Sequence, residues 1–407
     1  MLTTSDRRCI LSTRFEPRSF EVASEKATGP LKGIRIVEFA GVGPVPFCAM
    51  LLADMGAEVI TLDRTIPSGL GIRKDARFNP TTRSRPSMAV DLKSAAGRAV
   101  VLRLLERADA LIEGFRPGVM ERLGLAPDVC WATNARLVFG RATGWGQDGP
   151  LAESVGHDLN YLAMSGALSM LGPRDRDPAI PLNLLGDYAG GGLYLALGVV
   201  AAILEAKTSG QGQIVDAAMI DGIESLLTHY FAFIANDRWV PERESNFFDG
   251  GAPWYRVYET KDGQHVSVAP VERKFYDQLL EGMGLDPAAI PDQLARDTWP
   301  ELRRRFAEVF RTRTRDEWCE VMAGREACFA PVLSMAEAIA HPHLRARNTF
   351  VEVDGVLQPV PAPRFSRTPS SVQRSPPMPG ANTDEIMSSW GFAEAEIAEL
   401  RKSGAIA

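Results

Sequence analysis

One stretch near the start of the chain constrains the fold more than any other, because it joins two apolar strands through a glycine turn and a helix. Residues 34–40 read IRIVEFA, a short apolar run typical of a buried strand. The loop GVGPVPF follows, then the helical pattern FCAMLLADMG, which ends at Gly56, and then the strand AEVITLDR. This order predicts a β-loop-α-β unit, the usual start of a doubly wound parallel sheet that binds nucleotides.

Further strands and helices continue this pattern. Lys93–Ala108 predicts a helix, ALIEGF a strand and LVFGRATG another strand. From Gly250 the pattern changes, since a strand pair turned at Lys261-Asp262-Gly263 and the helices after it predict a smaller α+β module. The predicted fold class is therefore α/β, with a large Rossmann-like domain and a smaller α+β domain.

We divide the chain into five segments on this basis. Residues 1–30 are polar and are predicted as a flexible N-terminal extension, and residues 31–220 as the first part of the large domain. Residues 221–249 form a linker helix, residues 250–350 the small domain, and residues 351–407 a return segment whose C-terminal helix completes the large domain. The extension lacks the apolar stretch of a secretory signal. We also expect no apolar run of the about 20 residues that cross a bilayer.

Composition and charge exclude several functional classes. The net charge of -6 gives no reason to expect a nucleic-acid partner. The 5 cysteines are scattered without CxxC spacing, which argues against a zinc site and favours a reducing compartment. We therefore expect a cytoplasmic protein without a bound metal, and no membrane partner.

The glycine loop Gly41-x-Gly43 has the position of a dinucleotide-binding turn. Asp63 ends the second strand, where such folds hold a ribose, but two prolines interrupt the loop pattern. Arg64 places a guanidinium suited to phosphate directly after Asp63. NAD, another adenine nucleotide and a purely structural turn all remain open from these residues alone.

A set of longer motifs occurs in order along the chain. It comprises GIRIVEFAGVGPVPFCAMLLADMGAEVITLDR, VDLK, EGFRPGVMERLGL, TGWGQDGP, GHDLNYLAMSG, PLNLLGDYAGGG, GQGQIVDAAMIDG and DGGAPWY. From about Leu31 to Arg364 the chain resembles the alpha-methylacyl-CoA racemases of the class III CoA-transferase superfamily. The resemblance implies an acyl-CoA substrate and an interlocked homodimer, with each active site between the large domain of one subunit and the small domain of the other.

The resemblance also implies roles for particular residues. The two racemase acid/base groups match His157 and Asp187, and Glu272 matches the acidic residue that assists the histidine. The residues that match the CoA-binding set are Arg64, Val90, Asp91, Leu92, Lys93, Gly114, Phe115, Arg116, Arg122, Gly156, Asp158 and Tyr161. Because CoA is part of the substrate, no separate cofactor is expected. The chain departs from the family at VERKFY, where the racemases usually carry IEPQFY.

The residue types fit the chemistry that the resemblance implies. Inverting a carbon next to a thioester needs two acid/base groups, because one removes the α-proton and the other returns a proton to the opposite face. A helix N-terminus disfavours the charged imidazolium, which would keep His157 neutral, and burial would raise the pKa of Asp187. Residues 190–192 are glycines, which would let the ligand approach closely and would open a helix whose N–H groups steady the enolate oxygen.

Simpler roles remain open for the same side chains. Asp158 is predicted as the N-cap of a helix over Leu159–Leu171, and His157, Asp187 and Glu272 taken alone could each be structural. The alternative function is a CoA-transferase that moves CoA between carboxylates. In those relatives the residue matching Asp187 is a nucleophile, and the residue matching His157 is normally not histidine, so His157 discriminates between the two functions. A CoA-binding or NAD-binding protein without this chemistry is the third possibility.

Overall fold

The chain divides into two compact units. The computed structural model describes residues 28–66, 69 and 75–407, so the predicted extension lies, up to residue 27, outside the described residues. The first unit comprises the described residues up to Ser165 with Leu182–Leu226 and Pro342–Ala407, and the second comprises Gly166–Pro181 with Leu227–His341. This division differs from the predicted one at residues 166–181, which were assigned to the large domain, and at residues 342–350, which were assigned to the small domain. It also divides the predicted linker helix 221–249 after Leu226.

A parallel sheet forms the centre of the first unit. Its strands are β1 (Arg35–Phe39), β2 (Glu58–Asp63), β3 (Ser87–Ala89), β4 (Ala110–Glu113), β5 (Val138–Thr143) and β6 (Ile214–Ala218). They pair in parallel in the order β3-β2-β1-β4-β5-β6, which confirms the predicted α/β class. The carboxyl ends of all these strands lie at one edge. Because the order reverses between β1 and β4, the loops that follow these two strands diverge and leave a crevice.

The α-helices surround this sheet or belong to the second unit. In chain order they are α1 (Pro44–Asp54), α2 (Ala95–Leu105), α3 (Val119–Arg122), α4 (Pro127–Thr133), α5 (Asp158–Met164), α6 (Tyr194–Ser209), α7 (Met219–Leu226), α8 (Thr228–Ala235), α9 (Arg273–Gly282), α10 (Trp299–Phe310), α11 (Arg315–Met322), α12 (Met335–Ala340), α13 (Pro342–Ala346), α14 (Thr383–Ser389) and α15 (Glu394–Lys402). A π-helical segment, Leu184–Leu193, runs directly into α6.

Side chains alternate along the strands and supply two cores, one on each face of the sheet. On β1, Val37 and Phe39 belong to the core that includes residues of α2, α14 and α15. Ile36 points to the other core, which includes Leu52 of α1 and Val199 of α6. Both faces of the sheet are therefore covered, as the predicted βα alternation requires.

The second unit contains a small antiparallel sheet. Its strands are β7 (Arg256–Glu259), β8 (His265–Val268) and β9 (Phe329–Pro331). The strand pair β7–β8 confirms the predicted hairpin, and Gly263 in its turn has a positive φ of 73°. Trp254, Phe306 and Trp318 lie in the core of this unit. A further antiparallel pair, β10 (Phe350–Val353) and β11 (Val356–Pro359), belongs to the first unit.

The π-helical segment and α6 contradict the expectation that no apolar run has membrane-spanning length. Residues 184–209 form 26 continuous helical residues, and an 18-residue stretch within them has a mean hydropathy of 1.7, so by length and composition alone they could cross a bilayer. Half of that 18-residue stretch is buried inside the protein. Leu195, Val199 and Ile203 lie in the core on one face of the sheet, which is the position of an ordinary core helix.

A buried ion pair fixes the start of α1 against the sheet. The Glu38 carboxylate on β1 lies 3.0 Å from the Arg85 guanidinium and accepts the Thr61 hydroxyl at 2.6 Å. Arg85 also donates to the Pro46 carbonyl in the first turn of α1 at 2.9 Å. Both charged side chains are buried, so removing either one would leave a charge without its counter-ion in the core.

We expect Glu38→Gln to lower the free energy of unfolding by about 3–5 kcal/mol, because it leaves Arg85 buried and uncompensated. The double variant Glu38→Gln/Arg85→Met should lose less than the single variant, since no buried charge then remains. Urea denaturation followed by circular dichroism measures both. Arg304→Ala, which breaks only exposed pairs with Glu301 and Glu308, is the control and should be almost neutral. Equal stability of Glu38→Gln and this control would contradict the expectation.

Candidate active site

A cleft of about 770 Å³ lies at the carboxyl edge of the sheet, where the strand order reverses. Its walls come from the loops after β1, β4 and β5, from the start of α5 and from the π-helical segment. The predicted site residues that line it are Gly114, Phe115, Arg116, Gly156, His157, Tyr161 and Asp187. Both predicted acid/base groups therefore lie in one cleft together with part of the predicted CoA-binding set.

The remaining predicted CoA-binding residues do not line this cleft. Arg64 follows β2 and Arg122 ends α3, and both are exposed. Asp91, Leu92 and Lys93 (together 91–93) follow β3 at the same edge of the sheet. Val90 differs from them, because it is only 1% exposed and packs in the core. Its side chain cannot reach a ligand there, so the expectation of a Val90 contact holds at most for its backbone.

Glu272 belongs to the second unit. It occupies the N-cap position of α9 and is exposed, and its side chain makes no capping hydrogen bond. Arg273, which follows it in the segment that departs from the family pattern, pairs with Asp277 one helical turn later at 2.8 Å. Lys274 lies over the Phe275 ring, 4.5 Å from its centroid. Arg273 and Lys274, the two basic residues that depart from the family pattern, thus contact neighbouring side chains of α9.

His157, and not Asp158, occupies the N-cap position of α5, so the capping prediction was wrong. The Asn160 side chain accepts the His157 backbone N–H at 3.0 Å, and the His157 carbonyl accepts the Asn160 N–H at 2.7 Å. These bonds start the helix one residue earlier than predicted. The helix also ends at Met164 instead of Leu171, because Gly166 takes a left-handed φ of 83°. The imidazole is exposed and faces the cleft from the positive end of α5.

Asp158 has a different task, which is to hold Asp187 in place. The Asp158 carboxylate accepts the backbone N–H of Asp187 at 2.7 Å, and its side chain is buried. A β-carbon at Gly186 would lie 2.4 Å from this carboxylate, so only glycine leaves room for the contact. The bond joins the start of α5, which carries His157, directly to the π-helical segment, which carries Asp187.

The Asp187 carboxyl is partly removed from water. The Asn183 amide donates to Asp187 Oδ2 at 3.1 Å. Burial raises the pKa of Asp187, the Asn183 bond opposes this rise, the Asp158 charge adds to it, and His157 lowers it. The net effect is a raised pKa, as expected from the sequence, so Asp187 stays protonated to a higher pH than an ordinary aspartate.

Tyr161 closes one wall of the cleft as a neutral phenol. Its ring meets Trp145 edge to face, with centroids 4.8 Å apart. A β-carbon at Gly144 would lie 2.0 Å from the Tyr161 ring, so the glycine of TGWG makes space for it. Burial raises the pKa of Tyr161 to about 12, which excludes this residue as an ionised base near neutral pH.

The glycines at 190–192 serve packing and not the ligand, which corrects the expectation for them. They lie inside the π-helical segment and are buried. A β-carbon at Gly191 would lie 2.8 Å from Pro44 of α1 and 2.8 Å from Met219 of α7. At Gly192 a β-carbon would lie 2.8 Å from Phe47. The missing side chains thus let α1 and α7 approach the backbone that carries Asp187.

Three further residues, which sequence reasoning missed, fix the loop that carries Arg116. The Glu113 carboxylate accepts the Phe115 backbone N–H at 2.5 Å and the Arg141 Nε–H at 2.9 Å. Arg141 also pairs with Glu121 of α3 at 2.8 Å. Glu113 ends β4 and lies opposite Arg141 on β5, the adjacent parallel strand, so their contact could have been inferred from the predicted strands. Asn183 was missed too, although it precedes Asp187 by one helical turn.

Comparisons with known proteins identify the family to which the chain is similar. A family model described as CoA-transferase family III matches residues 31–383. The Mus musculus protein named alpha-methylacyl-CoA racemase is 42% identical over 374 residues, which cover 91% of this chain and 96% of that protein. The Homo sapiens protein of the same name is 41% identical over 373 residues, with 91% and 96% covered. A crystal structure of a CAIB/BAIF family protein from Brucella suis matches with a TM-score of 0.74 at 26% identity, over 89% of this chain and 100% of that one.

We expect Asn183→Ala to raise the pKa of Asp187 further, because it removes a donor that stabilises the carboxylate. Carboxyl ¹³C NMR of protein labelled at aspartate measures this titration, with Asp187→Asn assigning the signal. Leu184→Ala is the control, since its side chain carries no hydrogen-bonding group. A titration that moves to lower pH in Asn183→Ala, or does not move, would show that the amide has no such effect.

Proposed function

The chain belongs to CoA-transferase family III, and we propose that it is an isomerase that interconverts (R)- and (S)-2-methylacyl-CoA thioesters. One observation carries the proposal: a histidine and a carboxyl with a raised pKa line the same cleft. The sequence identity of 42% and 41% between this chain and the mouse and human racemases supports the same activity. The transferase alternative fits less well, because it uses the carboxylate as a nucleophile and leaves His157 without a role.

The reaction is a proton transfer through an enolate. Neutral His157 removes the α-proton from one face, and the electrons of that C–H bond move into the thioester carbonyl. Protonated Asp187 then delivers a proton to the same carbon from the opposite face, which inverts its configuration. In the reverse direction the two groups exchange roles. The raised pKa of Asp187 makes its protonated form more accessible than that of an ordinary aspartate, and the Asp158 bond orients it.

Cations along the carboxyl edge of the sheet fit the phosphates of CoA. Arg64, Lys93, Arg116 and Arg122 are exposed and lie at or after strand ends on this edge. Guanidinium and ammonium groups bind phosphate oxygens through charge-assisted hydrogen bonds. We propose that these residues hold the nucleotide while the acyl group lies in the cleft, and that no separate cofactor takes part. A cytoplasmic location stays a prediction.

We also propose that the chain works as a homodimer whose active site takes Glu272 from the partner subunit. Apolar side chains form an exposed stripe along the π-helical segment and α6, at Leu193, Leu197 and Leu204. These positions lie on one helical face, and Leu197 and Leu204 are 67% and 70% exposed. Such a stripe is typical of a surface that another chain covers. In this arrangement the partner's Glu272 would orient the His157 imidazole or stabilise its charged form.

Exchange of the α-hydrogen in D₂O tests the proposed reaction. The wild-type protein should exchange the α-hydrogen of (R)- or (S)-2-methylacyl-CoA with no acceptor acid present, and should convert each configuration into the other. We expect His157→Ala to lower kcat by about 10²–10⁴-fold, because it removes one acid/base group. Binding of CoA should change little, and His265→Ala, a histidine on β8, is the matched control. NMR and chiral chromatography follow exchange and inversion.

Two outcomes would contradict this assignment. Retention of the α-hydrogen by the wild-type protein would exclude the racemase reaction, and a kcat of His157→Ala near that of the wild type would exclude His157 as a base. Inactivation by hydroxylamine only in the presence of an acyl-CoA would instead indicate an anhydride on Asp187 and the transferase alternative.

Mixed dimers test whether the site is shared. His157→Ala and Glu272→Ala should each be inactive alone, but co-expression should recover activity. If Glu272 acts across the dimer, each mixed dimer contains one doubly altered site and one intact site. With random pairing about half of the dimers are mixed, so about a quarter of all active sites are then intact. No recovery in mixed dimers, whose presence is verified by two different affinity tags, would place His157 and Glu272 of one chain in the same site.

A further inference from the structure

Residues 405–407 form an antiparallel β-bridge with the backbone at the end of β3. The Ala405 carbonyl accepts the Asp91 N–H at 2.9 Å, and the Ala407 N–H donates to the Ala89 carbonyl at 3.1 Å. Val90 and Ile406 lie opposite each other between these bonds in an antiparallel pair. The other side of β3 pairs with β2, so this segment covers the carboxyl end of the outer edge of β3, while Asn382 bonds to Ser87 at the start of that strand.

The contact is buried and is held at more than one point. Ile406 is 2% exposed and shares the core on this face of the sheet with Val90 and Ile386. The Thr383 hydroxyl, at the start of α14, accepts the Ala89 N–H at 3.2 Å and donates to the Ala407 carbonyl at 2.7 Å. The segment is therefore built into the sheet, through apolar packing and hydrogen bonds together.

The same segment anchors the turn that follows β3. The Asp91 N–H donates to the Ala405 carbonyl, and the Asp91 carboxylate accepts the Lys93 N–H at 3.0 Å. Arg98 of α2 donates to the Lys93 carbonyl at 2.8 Å, and Ser94 caps α2. The turn is thus fixed at both ends, and it presents the exposed Lys93 ammonium at the carboxyl edge of the sheet.

The position of this turn separates it from the reacting atoms. The cleft with His157 and Asp187 adjoins the ends of β1, β4 and β5, whereas β3 lies two strands beyond β1. Neighbouring strands are about 4.8 Å apart, so the end of β3 lies roughly 10 Å from the end of β1. A CoA thioester whose acyl group lies in the cleft and which extends along this edge would bring its nucleotide end toward β3.

We propose that residues 405–407 are a positioning element for the nucleotide half of the acyl-CoA substrate, acting by holding the turn at Asp91–Lys93 in its binding shape. The proposal rests on the function proposed above for its substrate class. It assigns Ile406 and Thr383 an effect on affinity and none on the proton transfer. The segment therefore distinguishes a CoA thioester from the same acyl group on a shorter pantetheine carrier.

Calorimetry with free CoA tests the proposal without turnover. We expect Ile406→Asp, and a variant that ends at Gly404, to weaken the Kd for CoA by at least about tenfold, since a buried strand contact and the anchored turn are lost. Thr383→Val, which removes only the hydroxyl bonds, should show a smaller loss in the same direction. Ile406→Val keeps an apolar strand residue and is the matched control, with wild-type affinity expected. In kinetics, KM should rise for 2-methylacyl-CoA while kcat, and all constants for the 2-methylacyl-pantetheine thioester, stay unchanged.

Other outcomes would overturn the proposal. Equal affinity of wild type and Ile406→Asp for CoA would do so, and so would an equal loss with CoA and pantetheine substrates, which indicates general damage to the fold. If Ile406→Asp does not fold, Thr383→Val and hydrogen exchange of the wild-type protein decide, because fast exchange at the Asp91 amide would exclude the pairing. CoA binding without racemisation would reject the proposed function and leave this inference intact.

Discussion

The reversal of strand order between β1 and β4 is the constraint on which the site depends. All strands of the large sheet are parallel, so their carboxyl ends share one edge, and the connections leave that edge in opposite directions at the reversal. The loops that start at Gly41 and Gly114 therefore cannot close over each other. A cleft exists at this place for topological reasons, before any side chain gives it chemistry.

Carboxylates then give the rim of that cleft its shape, because each holds a backbone N–H of a loop or helix start. Glu113 holds Phe115 after β4, Asp158 holds Asp187 in the π-helical segment, and Asp216 on β6 holds Gln147 at 2.9 Å. Hydrogen bonds to an ionised acceptor are stronger than neutral ones. These three carboxylates thus have structural roles, and Asp187 differs from them in facing the cleft with its own carboxyl.

Sequence reasoning predicted the fold class, the first βαβ unit and the hairpin at Lys261–Gly263, because apolar periodicity and turn residues are local signals. The presence of His157 and Asp187 in one cleft was implied by the family resemblance. The capping role of Asp158 was mispredicted, since the choice between neighbouring cap residues depends on the Asn160 bond and on a partner 29 residues away. The π-helical segment could not be predicted either, because its glycines are explained by contacts with α1 and α7.

The first unit is built from three separate stretches of the chain, and this affects the order in which the protein folds during synthesis. Its core includes Ile386 and Ile406, which are translated only after the whole of the second unit. The segment Leu227–His341 is continuous, so most of the second unit can fold as it leaves the ribosome, while the sheet still lacks the residues that cover β3. The edge of the sheet next to Asp91–Lys93 is therefore the last part of the large unit to be covered. Until then the apolar strand β3 can pair with other chains.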